Sequence, residues 1–302
     1  MIMAQERWVR LGWQGISLDV PEDWCPGSLE GDHANGYLRV EDETHVRLEL
    51  RWETAGRGPA SASRLVDAYL KQTRKKLPRG LPDPVVDRGR AVKELAGLDH
   101  EVFTWRGSFC AHSLVALAAE SRRVLHVRVF FQEGNDYKAL ARRIFGSVGL
   151  EPRDGLVEWA VFGFRFGVPD TWRLEHSALR TGSLQFLFRA GSDTLEVVRQ
   201  SLAAITLATS PLEQWLRGTF AKGLRGFRCA SQPGRYRDHD AVRCGGELNL
   251  RARPLAVFRR RRYATALAWQ CEETDKLFAL RCETSQPDDP RVERCADSIV
   301  CH

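Results

Sequence analysis

The stretch Gly15-Ile-Ser-Leu-Asp-Val-Pro-Glu-Asp-Trp24 has a counterpart in the second half of the chain, Gly163-Phe-Arg-Phe-Gly-Val-Pro-Asp-Thr-Trp172. The Gly, Val, Pro and Trp residues of the two stretches match at one constant offset. In both, an alternating apolar run ends at Val-Pro, which predicts a strand with one buried face. The proline ends this strand because it has no N–H to donate to a sheet. The match predicts an internal duplication.

The segments that follow the two stretches agree in order and spacing. In the first half we predict strands at 15–20, 36–40, 46–52, 85–91, 100–106, 112–119 and 124–131, with helices at 63–77 and 137–148. In the second half we predict strands at 163–168, 183–189, 194–202, 227–230, 241–251, 264–271 and 277–282, with helices that begin at Ser210 and at Asp289-Pro290. Each half therefore has the predicted order βββ-α-ββββ-α.

Short connections and hairpins of this kind favour antiparallel pairing. The predicted fold is α+β: two tandem copies of a mainly antiparallel sheet of about six or seven strands, with two helices packed on it. The linker Glu151-Pro-Arg-Asp-Gly155 suits a domain boundary, since proline and glycine are common there. The predicted domains are residues 1–153 and 154–302.

The Val-Pro-x-x-Trp ending of the first strand recurs together with a closing helix that carries Ser147-Val148 in one half and Ser298-Ile299 in the other. This combination resembles the PsbP/DcrB-like fold group, which also includes the Ran-release factor of nuclear import. The resemblance extends over both copies. It implies the α+β fold and a binding or accessory role, because members of the group are mostly known as binding proteins rather than enzymes.

Composition places the protein among soluble globular proteins. It has 302 residues, of which 43% are hydrophobic and 28% charged, and a net charge of +6 that is spread over both halves. Met1 to Arg10 lack the apolar core of a signal peptide, and no run of about 18 apolar residues could span a membrane. The sequence predicts a cytoplasmic protein without a membrane segment.

The cysteines are concentrated in the second half. Six of the eight lie there: Cys229, Cys244, Cys271, Cys282, Cys295 and Cys301. No C-x-x-C pair of the kind common in zinc sites is present. Aligning the halves sets Ala118 opposite Cys271, Val129 opposite Cys282, Ile144 opposite Cys295 and Leu150 opposite Cys301. Because all four counterparts are apolar, the favoured interpretation is that these cysteines are small hydrophobic residues of a core.

A zinc site is the alternative interpretation of the same cysteines. Cys271, Cys282 and Cys295 would then converge between the last hairpin and the closing helix, with Cys301 or His302 as a further ligand. A disulfide or redox role is a third possibility. The favoured prediction remains no cofactor.

A run of arginines gives a second candidate site. Arg259 to Arg262 follow Arg251 and Arg253, and Phe258 and Tyr263 flank the run. A basic patch with stacking aromatics is typical of nucleic-acid or other polyanion binding. However, the run lies between predicted strands, where a solvated edge guarded by charge is common, and this is the favoured interpretation. The first half has no such run.

No P-loop, dinucleotide-binding, zinc-protease or serine-hydrolase motif occurs in the sequence. Asp99-His100 and Asp238-His239 stand ahead of corresponding strands, where a turn explains them. We therefore predict a non-catalytic interaction protein whose partner is another protein. The alternatives are an enzyme or small-ligand protein with a pocket at the domain junction, and polyanion binding through the arginine run.

Overall fold

The computed structural model describes residues 7–57, 60–78, 83–132, 134–135, 137–150, 152–249, 261–287 and 289–302. Over these residues the protein is α+β, with mainly antiparallel strands and α-helices. No helix in these ranges is long and apolar enough to cross a membrane.

The protein forms two compact units. The first comprises Met1–Pro152 and Glu158–Gly163, and the second comprises Arg153–Val157 and Phe164–His302. The predicted boundary falls between residues 153 and 154. That the two units are copies of one domain stays a prediction.

The first unit is built on a seven-stranded antiparallel sheet of order β3-β4-β5-β9-β8-β7-β6. Its elements are β1 (Trp8–Trp13), β2 (Ile16–Pro21), β3 (Cys25–Gly31), β4 (Gly36–Glu41), β5 (Val46–Thr54), α1 (Ala62–Lys75), β6 (Val85–Arg88), β7 (Asp99–Arg106), β8 (Cys110–Ala118), β9 (Arg123–Phe130) and α2 (Lys138–Gly146). A single 3-10 turn lies at Lys93–Leu95. Strands β1 and β2 pair outside the large sheet.

The second unit contains a seven-stranded antiparallel sheet of order β12-β13-β14-β18-β17-β16-β15, the same order when its strands are counted along the sequence. Strand β10 (Leu156–Val161) lies mostly in the first unit. The elements that follow it are β11 (Phe164–Pro169), β12 (Arg173–Arg180), β13 (Ser183–Ala190), β14 (Asp193–Ser201), α3 (Ala203–Thr209), α4 (Leu212–Thr219), α5 (Ala221–Leu224), β15 (Phe227–Tyr236), β16 (His239–Leu248), β17 (Tyr263–Cys271), β18 (Lys276–Thr284) and α6 (Pro290–Ser298).

The predicted order βββ-α-ββββ-α needs two corrections. It lacks β1 and β3 in the first half and β10 and β12 in the second. It also has one helix where the second unit has α3, α4 and α5. Helix α4 has Pro211 as its N-cap, one residue after the predicted N-cap Ser210, which is instead the C-cap of α3. The start of α6 is confirmed, because the Asp289 side chain accepts a hydrogen bond from Arg291 N–H.

The repeated residues have a local structural reason. Trp24 N–H donates to Pro21 C=O over 3.0 Å, and Trp172 N–H donates to Pro169 C=O over 2.9 Å. Each Val-Pro-x-x-Trp segment is therefore a hydrogen-bonded turn that leaves its tryptophan buried.

In the first unit, α1 packs on β7 and β8, where Val66 and Leu70 meet Phe103 and Trp105. Strands β4 and β5 continue the same sheet beyond the helix. In the second unit, α4 packs on β16 and β17. A pocket lies on the face of the first sheet, beside α1.

Candidate functional site

A groove of about 810 Å³ lies in the first unit between α1 and strands β4, β5 and β9. Tyr37, Arg51, Glu53, Tyr69, Lys76 and His126 are among its lining residues. The side chains of β5 and β9 reach it because Arg51 lies opposite His126 in the antiparallel register. The groove belongs to the first unit alone. It is a different pocket from the one expected at the domain junction.

Two tyrosines of the groove are held in place by their neighbours. Tyr37 O–H donates to Glu49 Oε1 over 2.6 Å, and the Arg51 guanidinium lies 5.2 Å from the centre of the Tyr37 ring. The Tyr69 ring meets the His126 ring edge-on at 4.4 Å. Side chains fixed in this way lose little conformational freedom when a ligand covers them.

The Glu49–Arg128 ion pair links the tyrosines across two strands. Arg128 donates to Glu49, and its Nη1 lies 3.3 Å from the hydroxyl of Tyr69. The same pair of strands in the second unit carries Glu196 and Arg281, with Arg281 Nε 2.8 Å from Glu196 Oε1.

The glutamate–arginine pair of the second unit is covered by a neighbouring helix. Arg281 Nη1 donates to the backbone carbonyl oxygen of Gly223 in α5 over 3.1 Å, and Arg281 is only 4% exposed. In the first unit Arg128 lines the open groove instead. The arginine of the pair is therefore covered by a helix in the second unit, whereas in the first unit its side chain is 16% exposed.

Two titratable groups of the groove stay neutral near pH 7. Burial, and then the charges of Arg128 and Arg51, lower the pKa of His126 to about 3. Burial and the hydrogen bond to Glu49 raise the pKa of Tyr37 to about 12. These two side chains therefore offer fixed hydrogen-bonding and stacking surfaces, and neither gains or loses a proton near neutral pH.

A second cluster lies in the second unit, where His239, Cys271, Cys301 and His302 meet. One ligand atom from each residue lies within 4.8 Å of the other three. Cys301 Sγ is 3.3 Å from His239 Nε2 and 3.4 Å from His302 Nδ1. Cys271 Sγ is 3.5 Å from His302 Nδ1.

Strand pairing brings these four residues together. His239 begins β16 and Cys271 ends β17, and the register that sets Ala241 opposite Trp269 places these two strand termini side by side. Cys301 and His302 follow Val300, whose N–H donates to Arg165 C=O over 3.0 Å. This bridge to β11 holds the segment after α6, which carries Cys301 and His302.

Burial and the contacts between thiols and imidazoles shift the pKa values of this cluster. Burial opposes ionisation of Cys271, but the interactions with Thr274 and His302 prevail and lower the pKa of the Cys271 thiol. Contact with Cys271 and then Glu273 raises the pKa of His302. Burial, and then His302, lower the pKa of His239.

The other predicted zinc candidates lie elsewhere in the core. Cys282 and Cys295 are buried, and burial raises the pKa of Cys282 to about 12 and raises that of Cys295 as well. They are absent from the described His, Cys, Asp and Glu groups that could hold a metal ion. Of the predicted set, the structure brings together Cys271, Cys301 and His302.

The two described arginines of the run differ in burial. Arg262 is 7% exposed and donates to Ser192, Asp193 and Glu283, which makes it a structural residue. Arg261 is exposed, with Glu247 at 3.8 Å. Arg251, Arg253, Arg259 and Arg260 lie outside the described residues, so polyanion binding stays a prediction.

Sequence reasoning missed His239 as a partner of the cysteines. The sequence places Asp238-His239 ahead of a predicted strand, but that this strand pairs with the strand ending in Cys271 is known only from the register. His100, at the similar place in the first half, is held by structural contacts: it accepts from Val92 N–H and contacts Leu98 C=O over 2.8 Å.

No family model and no curated protein matches the sequence. Among solved structures, the apo immunity protein TplEi of the T6SS from Pseudomonas aeruginosa matches with 12% identity and a TM-score of 0.35, covering 97% of this chain and 96% of that chain. The structure of TplEi complexed with "L" peptide matches with 9% identity and a TM-score of 0.32, covering 97% of each chain. Such TM-scores are too low to establish a shared fold.

Proposed function

We propose that this protein is a non-catalytic, cytoplasmic interaction protein of two PsbP/DcrB-like domains, 1–153 and 154–302, whose first domain binds a segment of a partner protein. The observation that carries the proposal is the groove beside α1, with two pre-positioned tyrosines inside it. The common strand order of the two seven-stranded sheets supports the proposal that the two domains are copies of one fold.

The composition of the groove favours a protein as its occupant. Tyrosine and arginine are enriched where protein interfaces bind most strongly, and a polar rim usually surrounds them. Here Tyr37 and Tyr69 are half-buried, whereas Arg51, Glu53 and Lys76 are exposed around them. The arrangement is an aromatic centre with a charged rim.

The second unit shows how a polypeptide backbone can cover an arginine at this place of the sheet. There the backbone carbonyl oxygen of Gly223 accepts from Arg281, which forms a cross-strand pair with Glu196. Arg128 holds the corresponding place in the first unit and faces the groove. A backbone carbonyl of a bound segment would give Arg128 the same partner.

A site-specific crosslinking experiment tests the proposal. A photo-crosslinking amino acid replaces Gln72, an exposed residue of the groove, in the full-length protein expressed in its native cell. The matched control carries the crosslinker at Gln185, an exposed glutamine of β13. We expect the Gln72 variant to capture one protein that the Gln185 variant does not, and expect Arg51→Ala to weaken capture about 10-fold or more.

Capture that is equal from both positions, or unchanged by Arg51→Ala, would show that the groove does not bind the partner. Saturable crosslinking of a small molecule to position 72, without protein capture, would replace this proposal by the small-ligand alternative.

A further inference from the structure

We propose that His239, Cys271, Cys301 and His302 form a structural Zn²⁺ site in the second unit. The proposal is independent of the groove, which lies in the other unit. It rests on the placement of four metal-ligating residues from three separate parts of the sequence.

The distances fit one tetrahedral ion. Zn–S bonds of about 2.3 Å and Zn–N bonds of about 2.0–2.1 Å at tetrahedral angles separate a sulfur from a nitrogen ligand by about 3.6 Å. The three short sulfur–nitrogen distances of the cluster are 3.3, 3.4 and 3.5 Å. All four ligand atoms fall within 4.8 Å of one another, so small rotamer adjustments suffice to close the site.

The backbone around the cluster holds the ligands in place. Tyr236 O–H donates to Asp297 Oδ1 over 2.6 Å, and Arg237 Nη1 donates to Ile299 C=O over 3.2 Å. These bonds join the turn before His239 to the end of α6. Ligands that are already positioned lose less conformational entropy when the metal binds.

The ligand types select a borderline-soft cation. Two thiolates and two imidazoles are a common zinc set, and tetrahedral S₂N₂ coordination favours Zn²⁺ over Mg²⁺ or Ca²⁺, which prefer oxygen. Each of the two thiols releases its proton when the metal binds. Four protein ligands leave no open position for a substrate, so the role of the ion is structural.

The other two buried cysteines of this region provide an internal contrast. Cys282 and Cys295 are buried, and neither belongs to a metal-ligating group of the described residues. Cys271 and Cys301 instead contact imidazole nitrogens. Burial alone accounts for the first pair, whereas the second pair has the partners that a metal site needs.

The test uses the full-length protein, reduced, stripped of metal and titrated with Zn²⁺ and separately with Co²⁺. We expect one metal ion per molecule by native mass spectrometry. We also expect a visible Co²⁺ spectrum with tetrahedral and thiolate charge-transfer bands. His302→Ala removes an exposed ligand without opening the core, and it should lower Zn²⁺ affinity at least about 100-fold in chelator competition.

The matched controls are His176→Ala, an exposed histidine of β12, and Cys110→Ser in the first unit. Both should keep the Zn²⁺ affinity and Co²⁺ spectrum of the unsubstituted protein. The proposal is overturned if the reduced protein binds no metal tetrahedrally, or if His302→Ala and Cys301→Ser bind Zn²⁺ as tightly as the controls do.

Discussion

At the scale of single residues, two neighbouring arginines have opposite surroundings. The Arg262 guanidinium lies 2.7 Å from Asp193 Oδ1 and donates to the backbone oxygens of Ser192 and Glu283. Arg261 points outward, with its side chain 77% exposed. In the sequence the two are consecutive members of one run, and nothing in that run distinguishes them.

Arg262→Ala should therefore destabilise the fold strongly. Removing this buried cation breaks its ion pairs with Asp193 and Glu283, which keep contacts with Arg291 and Arg281, and leaves two buried backbone oxygens without its guanidinium. We expect a loss of about 2–4 kcal/mol in the free energy of unfolding. Arg261→Ala should change it by less than about 0.5 kcal/mol. Urea unfolding of the two variants measures the difference, and equal losses would contradict the structural role of Arg262.

At the scale of elements, the sequence predicts the long strands and the closing helices but misses four strands, two of which, β3 and β12, lie at sheet edges. β3 and β12 pair on one side only and are largely exposed. Without a buried face they lack the alternation by which strands are recognised, and Pro26 and Gly27 further obscure β3.

The candidate sites depend on contacts that local patterns do not contain. His239 and Cys271 are brought together by the pairing of β16 with β17. The groove depends on which strands α1 covers and which it leaves open. Composition and spacing could name three of the four cluster residues, but only the strand register adds His239.

The helical segment of the second unit gives a prediction at this scale. A Cβ on Gly223 would fall inside contact distance of the buried Arg281 guanidinium, whereas a Cβ on Gly218 meets nothing within 4 Å. We expect Gly223→Ala to cost about 1–3 kcal/mol in the free energy of unfolding. Gly218→Ala in α4 should stabilise by about 0.5–1 kcal/mol, since alanine favours helix.

Thermal or urea unfolding of the Gly223→Ala and Gly218→Ala variants checks this prediction. If Gly223→Ala, like Gly218→Ala, raises the free energy of unfolding, then Gly223 does not pack against Arg281 as described.

At the scale of the whole molecule, the two units use a serine in the same way. Ser147 Oγ accepts from Asp19 N–H over 2.8 Å and donates to Ile144 C=O. Ser298 Oγ accepts from Gly167 N–H over 2.7 Å and donates to Cys295 C=O. In each unit one hydroxyl joins the closing helix to an early strand.

Ser147→Ala and Ser298→Ala should each lower the free energy of unfolding by about 1–2 kcal/mol, because each leaves a strand N–H without its acceptor. The two serines share no partner, so the double variant should lose the sum to within about 0.5 kcal/mol. Urea unfolding monitored by circular dichroism measures the three values. A cost at one serine but not at the other would count against like roles.

The rim of the groove has a consequence for how fast its occupant arrives. Arg51 and Lys76 are balanced there by Glu30 and Glu53, and Arg128 by its ion pair with Glu49, so the groove projects little net field into solution. Long-range attraction accelerates association only where one sign of charge dominates, and dissolved salt then weakens it. The on-rate of a partner at this groove is therefore governed by shape and orientation, and it should be nearly the same in dilute and in concentrated salt.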